Sequence, residues 1–216
     1  MKSDKELKAD VEAELSWEPA IDAAHVGVAA SGGIVTLTGH LNTYAEKAAI
    51  ERVVSRVAGV RGVAVELDVK IPSRDTRSDT ELAQAAQSAL AWNVVVPSDK
   101  VRVKAEKGWL TLSGELDWEY QRNAAATAVR PLKGVVGVTN SITIKPRAVA
   151  SDIGTRIGAA LSRHAWREAN AIRVNVNGST VTLRGKIDSL AERNAAEGAA
   201  WSAPGVTAVV SELTIG

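Results

Sequence analysis

Three histidines, His25, His40 and His164, are the only imidazoles in the chain, and imidazole is the side chain best suited to proton transfer or metal ligation near neutral pH. Their separations match no metal-ligand pattern. Cysteine is absent, so there is no thiolate nucleophile, no disulfide and no Cys-ligated metal. Carboxylates crowd the start of the chain at Asp4, Glu6, Asp10, Glu12, Glu14 and Glu18. They interleave with Leu7, Val11 and Leu15 at four-residue spacing, which reads as the solvated face of a helix rather than an acid–base pair. A Ser-His-Asp site could form only between distant segments, and no phosphate-cradling or dinucleotide glycine pattern occurs. The expectation is a protein without catalytic residues, metal or cofactor.

The elements that carry these residues come in triplicate. The stretch GIVTLTG at 33–39 returns as GWLTLSG at 108–114 and STVTLRG at 179–185. A shift of 75 residues carries Gly39 onto Gly114 and Gly59 onto Gly134, and a further 71 reaches Gly185 and Gly205. Apolar landmarks follow the same offsets: Leu7, Leu82 and Ile153; Leu37, Leu112 and Leu183. Periods this long make each repeat a small domain rather than one layer of a stack. The expected domains are 1–72, 76–146 and 150–216, joined by connectors rich in Pro, Ser and charge.

Within each repeat the apolar stripe ends and strict alternation begins. Val101, Val103 and Ala105 face one way while Arg102, Lys104 and Glu106 face the other, as in a half-buried strand. A tight turn and the repeated phrase complete a hairpin. Gly39, Gly114 and Gly185 are expected to release the chain into a second helix, with capping boxes at Thr43-x-x-Glu46 and Ser189-x-x-Glu192. Gly59, Gly134 and Gly205 sit where that helix should stop, and a third strand over 63–69 closes the unit. The fold class is α+β: three tandem α-β-β-α-β domains, each a three-stranded sheet with two helices on one face.

That order, the phrase G-x-V-x-L-x-G, and the later Gly59-Val60…Val63 and Gly134-Val135…Val138 resemble the bacterial BON domain, three times over nearly the whole chain. Ser179 and Ala208 depart from the pattern in the third copy. The resemblance implies binding rather than catalysis, with phospholipid or membrane-surface attachment and roles in osmotic stress, envelope stress and transport. Many BON proteins carry an export signal. The charged start MKSDKELKADVEAEL lacks an apolar region of that length, which gives a cytoplasmic expectation, with the periplasm reached only by a non-standard route.

Overall charge is +1, so no global field draws nucleic acid. Two repeats spell GXXG (59–62 and 134–137), a pattern that in other folds clamps nucleotides. Here it joins helix to strand and is broken as GVTA in the third repeat, so nucleic acid is not an expected partner. Charge is unevenly divided: −3 over residues 1–72, +2 over 73–146 and +2 over 147–216. Arg102, Lys104, Arg173 and Arg184 are expected on outer sheet faces, against Glu66 and Asp68 in the first repeat. Among the tryptophans, Trp109 aligns with Ile34 and Thr180 on the outward strand face, and Trp118 with Thr43 and Ser189 at a helix cap. Trp201 aligns with Ser55 and Arg130, which points it away from the core. Large aromatics where sibling repeats are polar mark contact surface. Trp17 and Trp92, at the end of the first helix, read as the edge of the core, and Trp166 has no assigned role.

The functional expectation is a non-catalytic binding protein, stress- or transport-associated, that attaches to a phospholipid surface or carries a small apolar ligand. The alternative is a self-assembling oligomeric scaffold without lipid binding, because uncovered sheets with free edges invite pairing.

Overall fold

The computed structural model describes residues 2–146, 152–163 and 172–215. His164 and Trp166 lie outside them.

In the first repeat, helix α1 (Asp4–Trp17) precedes strands β1 (Val26–Ser31) and β2 (Ile34–Leu41), helix α2 (Tyr44–Val54) and strand β3 (Gly62–Val69). The second runs α3 (Asp79–Trp92), β4 (Val101–Glu106), β5 (Trp109–Leu116), α4 (Glu119–Val129) and β6 (Gly137–Ile144). The third runs α5 (Ile153–Arg163), β7 (Arg173–Asn177), β8 (Thr180–Ile187), α6 (Leu190–Trp201) and β9 (Ala208–Ile215). Each sheet has three strands with the repeated phrase in the middle, in the orders β1-β2-β3, β4-β5-β6 and β7-β8-β9. The hairpin strands pair antiparallel, Val28 opposite Leu37 and Val174 opposite Leu183, while β3 and β9 lie parallel to the central strand.

Alternation decides which face is wet. Leu7, Val11 and Leu15 on α1, Val35 and Leu37 on β2, and Leu67 on β3 are all buried. Their siblings Leu82, Ala86 and Leu90 on α3 and Leu110 and Leu112 on β5 form the core of the second repeat. Each such leucine or valine contributes on the order of 1.5–3 kcal/mol by leaving water. The second helix is tied to its third strand by a polar reach at equivalent positions: Lys47 Nζ donates to the Leu67 carbonyl at 2.8 Å, and Arg193 donates to the Leu213 carbonyl at 3.0 Å. The chain divides into two compact units, one of residues 1–116 with 121–143, the other of 144–216 with 117–120. Inside the first unit the two repeats are joined physically. Tyr44 packs on the core of the second repeat, and Asp75 in the connector holds Lys133 at 3.0 Å.

Three local expectations are corrected. First, Gly39 and Gly114 do not release the chain into a helix, because β2 and β5 run two residues beyond them. These glycines sit inside the strand at φ +121° and +141°, directly under the start of the neighbouring strand. A Cβ at Gly39 would lie 2.0 Å from the His25 carbonyl oxygen, and one at Gly114 2.1 Å from that of Lys100. Glycine is required there by a close backbone approach. Second, α2 ends at Val54, not at Gly59. The stretch between is a run of tight turns, with the amides of Arg56 and Val57 donating to the carbonyls of Val53 and Val54. Gly59, at φ +98°, turns the last of these toward β3. Third, of the two anticipated capping boxes only that at Thr43 is complete. Ser189 accepts from the Glu192 amide, but the Glu192 carboxylate takes the Asp188 amide instead. Complete boxes also stand at Ser3–Glu6 and Ser78–Glu81.

Candidate functional site

The outer face of the second sheet gathers Arg102, Lys104 and Trp109. Cross-strand register sets Arg102 opposite Ser113, Lys104 opposite Thr111, and Glu106 opposite Trp109. Arg102 is exposed without an ion pair among the described residues, whereas Lys104 donates to Glu106 at 2.6 Å. That bond holds the Lys104 ammonium above its ordinary pKa. Trp109 is half exposed, and its indole N–H donates to Thr139 Oγ1 at 2.8 Å. Its ring lies over Gly137, where an added Cβ would meet ring carbons at 2.4 Å. The indole therefore covers a bare stretch of β6.

On the third sheet Arg173 lies directly opposite Arg184, and Arg184 lies opposite Glu212. The Arg184 guanidinium takes both Glu212 oxygens, at 2.5 and 3.2 Å. That pairing keeps the Glu212 carboxyl below the usual carboxylate range. Of the four basic residues expected to face a partner, two are thus engaged by acids on their own sheet. Trp118 immediately precedes α4, its ring stacked on that of Tyr120 at 6.4 Å. Trp201 is partly buried and packs on the core of the third repeat. This corrects the expectation that it points outward. The structural glycines Gly39, Gly114, Gly185, Gly59, Gly134 and Gly205 all have positive φ.

The largest departure concerns Trp17 and Trp92. Expected at the core edge, they are 85% and 90% exposed. Helical geometry gives the reason. Each lies two residues past the last stripe position, Leu15 or Leu90, and two residues turn about 200° around a helix. The side chain is thereby thrown to the solvent side. After Trp92 the chain continues with Val94, 98% exposed, and Val95, 40% exposed, before Val96 returns to the core. Three large apolar side chains are thus exposed within four residues at the end of α3, an apolar tip in sequence, unlike isolated surface residues that carry no message. The sequence signal was present in the angular count and in the run Val94-Val95-Val96, which reads as strand until Pro97 ends it.

The fold also brings together two of the three histidines. His25 and His40 stack with ring centroids 4.6 Å apart. Among the described residues no group of three or more His, Cys, Asp or Glu side chains is placed to hold a metal ion, and no helix is long and apolar enough to cross a membrane.

Comparison with known proteins adds three likenesses. Over 146 residues the chain is 27% identical to osmotically-inducible protein Y of Escherichia coli strain K12, covering 66% of this chain and 73% of that one. It also aligns with a structural protein of the type III secretion system of Chlamydia trachomatis, at 17% identity over 97% of this chain and 92% of that one. The TM-score there is 0.27, too loose a superposition to bear on function. The BON domain model matches residues 3–71, 78–146 and 150–216, each match spanning one α-β-β-α-β unit. The chain belongs to the BON domain family and carries three copies in tandem.

Proposed function

We propose that this protein is a non-catalytic, osmotic-stress-associated binding protein that attaches to phospholipid surfaces. The observation that carries the reading is the apolar tip Trp92-Val94-Val95, with Trp17 at the sibling position of the first repeat. Tryptophan is favoured at the water–lipid boundary because its ring is apolar and its N–H remains wet. Valine has no polar group to keep hydrated. Transferring one such side chain from water contributes on the order of 1.5–3 kcal/mol. A tip of three therefore gives reversible attachment without a spanning helix. The likeness to an osmotically inducible protein supports the stress association.

The test is co-flotation with phosphatidylglycerol and phosphatidylcholine vesicles, comparing the natural chain with W92S/V94S. Loss of flotation with an unchanged melting temperature supports the reading, and full retention refutes it. A second reading, homo-oligomerisation, is favoured by β1, an edge strand whose sequence VGVAAS carries no charged side chain to block pairing. A monomeric mass by light scattering across a hundredfold range of concentration would dismiss it.

A further inference from the structure

The third repeat departs from the first between its helices. The first repeat buries Ile50, Val53 and Val54 of α2 and half-buries Val57 just beyond it. At the same four positions the third carries Ala196, Ala199, Ala200 and Ala203. On α5 the stripe Ile153, Ile157 and Leu161 is fully kept and buried, so the missing volume lies on the α6 side. Trp201, where the first repeat has Ser55, fills part of it by packing on this core. What remains is a groove of about 310 Å³ between α5 and α6, lined at its base by Ile153, Ile157, Ala199 and Ala203, with Ala160 half-buried and Ala159 exposed at its edge.

The rim has changed sign as well. Arg156 and Arg163 line the groove, where the first repeat has Asp10 and Trp17 and the second has Ala85 and Trp92. Both arginines are exposed, and neither guanidinium has an ion pair among the described residues. They stand seven residues apart, so both fall on one helix face, about 10.5 Å apart along the axis. Two guanidinium groups without an ion pair among the described residues, beside an apolar lining, select a ligand with a hydrocarbon body and an anionic head, since guanidinium pairs geometrically with carboxylate. The volume lies at the lower end of ligand pockets, which suits one chain and not a two-chain lipid.

We infer that the α5–α6 groove of the third repeat binds a single-chain fatty carboxylate, its chain lying on the apolar lining and its head held by Arg156 and Arg163. The site is separate from the apolar tip of α3 and does not depend on bilayer attachment. It would make the third repeat a carrier of monomeric amphiphile.

The test titrates the full-length protein with sodium dodecanoate below its micelle concentration, in the absence of vesicles, by isothermal calorimetry. Saturable one-to-one binding is expected, with dodecanol and dodecyltrimethylammonium at least tenfold weaker. R156E/R163E, both exposed positions, should bind dodecanoate at least tenfold more weakly with an unchanged fold. A199V/A203V restores the residues the first repeat carries, and should abolish binding without lowering the melting temperature. W92S should bind dodecanoate like the natural chain. The inference is overturned if the alcohol or the cation binds as tightly as the carboxylate, if both groove variants bind normally, or if no saturable heat appears.

Discussion

Replacing Gly114 by alanine isolates what the repeated phrase is for. The added Cβ would stand 2.1 Å from the Lys100 carbonyl oxygen and 3.2 Å from its carbon, with the backbone at φ +141°. Both obstacles are backbone, so no side chain can swing aside. Relief requires β4 and β5 to separate by nearly an ångström where Val101 faces Gly114. A residue forced into sparsely populated φ/ψ space costs about 1–3 kcal/mol, and a displaced ladder hydrogen bond adds about 1 kcal/mol. The expected loss is therefore about 2–4 kcal/mol. Two further glycines serve as internal controls. Gly32 also has positive φ (+56°) but nothing within 4 Å of its added Cβ, so alanine there should cost only about 1–2 kcal/mol from the left-handed backbone. Gly158 lies within α5 at an ordinary φ with open space around it, so alanine should stabilise by about 0.5–1 kcal/mol. Urea unfolding followed by circular dichroism measures all three. The order G114A, G32A, natural chain, G158A in rising stability is expected. G114A within 1 kcal/mol of the natural chain would refute the close-approach argument.

Other outcomes follow from the same geometry. Asp79 accepts the amides of Gly108 and Lys107 at 2.9 and 2.8 Å, and these bonds, Gly108's first, hold its carboxyl below the ordinary range. A depressed folded-state pKa adds stability that is complete above the unfolded value and is lost as pH falls through the folded one. The acid limb of thermal stability below about pH 4 should therefore be shallower in D79N than in the natural chain. Thr43→Ala removes a complete capping box from α2 and should cost about 1 kcal/mol by urea unfolding, with Ser189→Ala costing less. Gly137→Ala places a Cβ at 2.4 Å from the Trp109 ring. It should push the indole off β6, break its bond to Thr139 and red-shift its fluorescence, whereas an unchanged spectrum would mean the ring is not seated there.

The α-β-β-α-β order was legible because burial follows period, and the stripe Leu7-Val11-Leu15 and the alternation Val101-Val103-Ala105 have no other solution. Self-comparison of the repeats aligned core landmarks such as Leu7, Leu82 and Ile153, and Leu37, Leu112 and Leu183, without a structure. Features that depend on distance between strands were not legible. Nothing local distinguishes Gly39 as a strand glycine under a carbonyl from a glycine that ends a strand. The pairing of Arg184 with Glu212 joins residues 28 apart and needed the parallel register of β8 and β9. The His25–His40 stack likewise exists only because β1 folds back on β2. Trp17 and Trp92 were misplaced for a simpler reason: end-of-helix position was weighed, and angle around the helix was not.

Flotation of the full chain on phosphatidylglycerol vesicles at physiological salt, beside W17S, W92S and W92S/V94S, tests membrane attachment most directly. The apolar-tip account predicts that the natural chain floats, that W92S binds at least tenfold more weakly and W92S/V94S weaker still, and that all four melt together, because the altered side chains contact little of the fold. Equal flotation of all four, or no flotation of the natural chain, would contradict it.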